Sequence, residues 1–152
     1  MRRTSVSSAE SADSLLLDAS VWLAALDRDD PYHAAAQQLL EAAATGAATV
    51  AALDLTLYEI ANVAVVRWRS PTDAERLAAL VMLACPATLE RVDEALVRAA
   101  AAVAAQHGLT VYDSAYAAAA ARRSWTLVSG DLADLVAPGL AISPDAALTR
   151  IG

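Results

Sequence analysis

Apolar positions along this chain fall into two patterns: short unbroken runs, and longer stretches in which apolar residues return every three or four positions. The runs are Leu15 to Leu17, Ala47 to Leu53 (AATVAAL) and Trp125 to Ser129 (WTLVS), each of a length that suits a strand buried on both faces. Ala87 to Val92 (ATLERV) alternates weakly and reads as a short peripheral strand. Leu109 to Val111 and Ala141-Ile142 read as brief extended pieces.

The stretches between them read as helices. Ser20 caps a short helix over Val21 to Leu26, DRDDP at Asp27 to Pro31 breaks it, and Tyr32 to about Thr45 forms a second, closed by Gly46. Leu57, Ile60, Ala61, Ala64, Val65 and Trp68 share one helical face, and Ser70-Pro71 ends that helix. Further helices run from Thr72 or Asp73 to about Ala84, from Asp93 to His107 with Gly108 as stop, from about Tyr112 to Arg123, and from Asp131 to about Ala137. Strands alternating with helices predict an α/β fold: a three-layer α/β/α sandwich with a central, mainly parallel sheet of about five strands and right-handed crossovers.

Composition narrows the chemistry. At 152 residues and 57% hydrophobic, the chain suits one domain with a sizeable core, expected over residues 14–152. Residues 1–13, rich in Ser and charge, are expected to be a disordered tail. No apolar run approaches the ~18 residues that span a bilayer, and a cytoplasmic location is expected. The single cysteine, Cys85, has no Cys or His at ligand spacing and reads as a small buried hydrophobe. All eleven cations are Arg. Without Lys, a P-loop and Schiff-base chemistry are excluded, and receiver-type or phosphoaspartate phosphatase sites are disfavoured. A net charge of −7 argues against nucleic-acid binding through the overall field, so any such binding is local or metal-assisted.

Parallel strands place Asp18, Glu59 and Asp131 on one sheet edge, and Asp113, at the start of its helix, can project there. Each has an innocent reading. Asp18 can accept N–H groups at a helix start, Glu59 and Asp113 lie three residues after Thr56 and Thr110 at capping-box spacing, and Asp131 can favour a helix dipole. Four carboxylates gathered at one edge are nevertheless costly unless a cation offsets them. Mg²⁺ or Mn²⁺ is the natural offset for hard oxygen donors, and such an ion activates water for phosphodiester hydrolysis.

Four stretches, LLLDAS at Leu15 to Ser20, LTLYEIANV at Leu55 to Val63, YDSAYAAAA at Tyr112 to Ala120 and LVSGDLADL at Leu127 to Leu135, carry a resemblance in order and spacing. The sequence resembles the PIN-domain ribonucleases, and among them the VapC toxins of bacterial type II toxin–antitoxin pairs, over roughly residues 14 to 143. The resemblance implies a Mg²⁺-dependent endoribonuclease with Asp18, Glu59, Asp113 and Asp131 as its acidic site and Ser20 and Ser129 as supporting hydroxyls. It also implies an RNA substrate, a homodimer and a cognate VapB-type antitoxin. This chain has Ser129 where Thr is usual, and a longer segment before its first strand.

Tyr112 and Tyr116, beside Asp113, are the candidates for stacking on RNA bases. Asp134 reads as a solvated helix residue, and His33 and His107 as spectators. Arg122-Arg123 and Arg67 to Arg69 end their helices, where cations suit the dipole. The alternative function is a noncatalytic PIN-like protein-interaction module.

Overall fold

The computed structural model describes residues 14–152; the predicted tail, residues 1–13, lies outside the described residues. Four strands, β1 (Ser14–Leu17), β2 (Thr49–Leu53), β3 (Leu89–Glu90) and β4 (Thr126–Val128), form one sheet in the order β3-β2-β1-β4. Every pairing is parallel, with Leu16 opposite Ala51 on one side and Leu127 on the other. Seven helices complete the described chain: α1 (Ala19–Leu26), α2 (His33–Thr45), α3 (Asp54–Val66), α4 (Pro71–Ala84), α5 (Glu94–His107), α6 (Val111–Arg123) and α7 (Pro144–Ile151). A five-residue π-helical turn, Leu132–Val136, follows β4.

The sandwich follows from the period-two alternation of the strands. Leu15, Leu17, Val50, Ala52 and Val128 face a core built with α1, α2, α3, α4 and α7. Leu16, Ala51, Leu53 and Leu127 face the opposite core, against α5 and α6. Because β1 is central, Leu15, Leu16 and Leu17 are all fully buried, and an unbroken apolar run is what a two-faced strand requires. Truncating Leu16 to Ala would cost roughly 2–5 kcal/mol.

The sheet has four strands rather than about five. Leu109 to Val111 adds no strand, because Thr110, though extended, is the N-cap that accepts from the Asp113 N–H and starts α6 one residue later. Ile142 makes only an isolated parallel bridge with Val128, flanking β4. The first helix begins at Ala19, with Asp18 rather than Ser20 as its N-cap. Helix α7 was not expected from the sequence, although Ser143 caps it, Pro144 opens it and Asp145 lies in its first turn. Among the described residues, no helix is long and apolar enough to cross a membrane.

Candidate functional site

Asp18 leaves β1 at its carboxyl end, where the backbone turns from strand into α1, and its N–H still bonds Val128 O across the sheet. Its carboxylate is buried and held from both sides. Oδ1 accepts from the Ser20 N–H at 3.0 Å and from Ser20 Oγ at 2.5 Å, while Oδ2 accepts from Ser129 Oγ. Each hydroxyl then accepts a backbone N–H from the turn after β4: Gly130 N bonds Ser20 Oγ at 2.8 Å, and Asp131 N bonds Ser129 Oγ at 2.9 Å. Gly130 sits close to this network: a Cβ there would stand 3.2 Å from Ser20 Oγ, near enough that the hydroxyl would have to shift by a few tenths of an ångström. Burial pushes the Asp18 carboxyl up to about 6, and the serine hydrogen bonds pull in the other direction without cancelling it.

Glu59 sits in the second turn of α3, half-buried. Tyr116, from α6, donates its hydroxyl to Glu59 Oε1 at 2.6 Å, and the same phenolic oxygen lies 2.7 Å from Thr56 Oγ1. Burial raises the Glu59 carboxyl, the Tyr116 hydrogen bond lowers it, and the charge of Asp113 raises it again. Burial also holds Tyr116 well above the usual phenol range, with the Glu59 charge adding to it, so it stays a donor. Asp113 is paired with Thr110: its N–H donates to Thr110 Oγ1 at 3.1 Å and its Oδ2 accepts the threonine hydroxyl at 2.8 Å. Asp131 caps the π-helical turn, accepting from the Asp134 N–H at 3.0 Å, and Asp134 itself is exposed.

These four acids line one cavity of about 320 Å³, together with Ala19, Ser20, Leu23, Asn62, Val63 and Tyr116. Among the described residues, no Arg or His is in that lining to stand against the carboxylates. Among the described residues, no three acidic, histidine or cysteine side chains stand as a ready-made ion cage. The acids surround a shared space rather than a single point. Their oxygen donors suit a hard divalent cation, and the missing counter-charge is what such an ion supplies.

Two sequence readings change. Thr56 and Glu59 do not form a capping box, because α3 begins at Asp54 and Thr56 lies inside the helix, bonded to Tyr116. Tyr116 offers no face to a base, its side chain being 2% exposed, whereas Tyr112 is 65% exposed. Asn62 lines the cavity and was not singled out from the sequence; its signal was its place three residues beyond Glu59, on the same helical face. Arg122 and Arg123 are committed to the fold. Arg122 pairs with buried Glu90 at 2.6 Å and Asp93 at 2.8 Å, and Arg123 pairs with Glu90 and stacks over Trp125. His33 Nδ1 lies 2.7 Å from Ala24 O, a contact that joins α2 to α1.

The sequence matches the family model described as the PIN domain over residues 15–133. Among solved structures, PAE2754 of Pyrobaculum aerophilum is 24% identical, with a TM-score of 0.63 over 92% of this chain and 97% of that one. VapC20 of Mycobacterium tuberculosis, a sarcin–ricin-loop-cleaving toxin, is 18% identical, with a TM-score of 0.63 over 82% of this chain and 95% of that one. A chain from a toxin–antitoxin complex of Klebsiella pneumoniae is 16% identical, with a TM-score of 0.61 over 86% of this chain and 97% of that one. No curated protein matches the sequence.

Proposed function

Since this chain belongs to the PIN domain family, we propose that it is a Mg²⁺-dependent endoribonuclease, the toxin of a VapBC-type toxin–antitoxin pair. One observation carries the reading: Asp18, Glu59, Asp113 and Asp131, brought from four separate parts of the sequence, line a single cavity whose lining, among the described residues, holds no Arg or His. Four caps with purely local duties would have no reason to share one space.

Asp18, Glu59, Asp113 and Asp131 would hold the divalent ion, Mg²⁺ or Mn²⁺. When bound, the ion offsets the carboxylates, attracts the phosphodiester that the chain's net charge of −7 would otherwise repel, and lowers the pKa of water. The protein supplies orientation. Ser20 and Ser129 fix both oxygens of Asp18 and carry that order into the Gly130-Asp131 turn. Burial raises the Asp18 carboxyl to about 6, so it is largely ionised at neutral pH, and a cation beside it would favour the charged form further. Tyr112, exposed beside Asp113, offers a ring for base stacking, and Asn62 offers a neutral amide to the substrate.

The fold shared with a chain of a toxin–antitoxin complex supports a cognate VapB-type antitoxin as partner; a homodimer acting in the cytoplasm belongs to the same proposal. The deciding experiment is cleavage of total RNA with Mg²⁺, with chelator, and with the Asp18→Asn variant. Cleavage that needs both the ion and Asp18 supports the proposal. An intact, folded protein that leaves RNA uncut under every condition favours the noncatalytic interaction module instead.

A further inference from the structure

The acid-bearing helices α3 and α6 are joined by two hydrogen bonds that share one phenolic oxygen, and the direction of each follows from its atoms. A phenol has a single hydrogen, and an ionised carboxylate can only accept. Tyr116 therefore gives its hydrogen to Glu59 Oε1 at 2.6 Å, and the Thr56 hydroxyl, 2.7 Å away, must donate to the phenolic oxygen. Thr56 and Glu59 lie three residues apart on α3, as Asp113 and Tyr116 do on α6, so one turn of each helix is pinned to one turn of the other. Thr56 is fully buried and Tyr116 is 2% exposed, which keeps water from competing for the bond between them, while the bond to half-buried Glu59 lies at the cavity's edge.

We infer that Tyr116 is a positioning residue for Glu59: the ordered chain from Thr56 through Tyr116 fixes Oε1 and leaves Oε2 to face the cavity. This rests on the proposed function, since it assigns Tyr116 a purpose only if Glu59 meets an ion there. Oε2 has no hydrogen-bond partner among the described residues, and Glu59 lines the cavity. A glutamate free to sample its rotamers would lose that freedom on binding; one held in advance by a buried phenol loses less. The tyrosine works from inside the protein rather than as a surface for RNA.

The test is calorimetric titration of Mn²⁺ alone into the wild-type protein, Tyr116→Phe, and the double variant Thr56→Val/Tyr116→Phe, with thermal melting of each in the absence of metal. Tyr116→Phe is expected to bind Mn²⁺ about ten-fold more weakly, the usual scale for losing a group that orients a ligand. It is also expected to melt lower, because the Thr56 hydroxyl is left buried and unpaired. The double variant removes both partners, so it should regain much of the melting temperature and none of the Mn²⁺ affinity. Affinity that recovers together with stability, or that is unchanged in Tyr116→Phe, overturns the inference while leaving the proposed function standing. A wild-type protein that binds no Mn²⁺ overturns both.

Discussion

Ser129 donates its hydroxyl to Asp18 across 111 positions of sequence, fastening the carboxyl end of β4 to that of β1. That bond lowers the pKa of a carboxyl which burial has raised to about 6. Ser129→Ala should therefore raise it further, moving the acid limb of the RNA-cleavage profile to higher pH. It also takes away the acceptor of the Asp131 N–H, and unfolding in urea should show a loss of about 1 kcal/mol.

Asp18→Asn should abolish cleavage while leaving the fold intact. Its stability effect has a definite pH dependence. The folded chain keeps the Asp18 proton until about pH 6, whereas an unperturbed Asp carboxyl titrates near 3.8. Stability from this group is complete below the lower value and lost as pH rises through the upper one, roughly 3 kcal/mol in all. Relative to wild type without metal, Asp18→Asn should gain stability between about pH 4 and 6 and hold that gain above, as followed by melting temperature.

Added Mn²⁺ should stabilise the wild-type protein by mass action, by about 2.7 kcal/mol at a hundred times its Kd, and so raise its melting temperature. The Asp18→Asn variant should show little of this rise. Equal shifts in both proteins would place the ion elsewhere.

Gly130→Ala would put a methyl group 3.2 Å from Ser20 Oγ, which is held between Asp18 and the Gly130 N–H. Ser20 must yield, so RNA cleavage should fall by about ten-fold while melting changes little. Full activity in that variant would show that the Ser20 bridge is dispensable.

Arg122→Ala leaves buried Glu90 with Arg123 as its remaining ion-pair partner and frees the Asp93 carboxylate that also caps α5. A loss of stability is expected in urea unfolding, chiefly from the weakened pairing of buried Glu90. Mn²⁺ affinity should be unchanged, since this network lies outside the lining of the acidic cavity.

Much of the fold was legible because β1 and β2 are buried on both faces and write that burial as unbroken apolar runs. Gly46 and Gly108 end α2 and α5 in the left-handed backbone that glycine favours, and Thr110 begins α6, each a local signal. Ends set by tertiary contact were less legible. The start of α3 is fixed at Asp54, whose side chain accepts the Val92 N–H from the chain beyond β3, so a capping box drawn from Thr56 was one turn too late. The acids could be ordered along one sheet edge, since parallel strands dictate it. The inward turn of Tyr116 could not, because Tyr116 is flanked within α6 by alanines that pack on nearly any face and leave the ring's direction to the neighbouring helix.

The cavity draws on both flanks of β1: Glu59 follows β2 on one side, and Ser129 and Asp131 follow β4 on the other. A chain emerging from the ribosome carries Asp18 early, but the serine that secures it comes 111 residues later. The pocket therefore cannot close before β4 and the turn after it have been made, however early Asp18 appears.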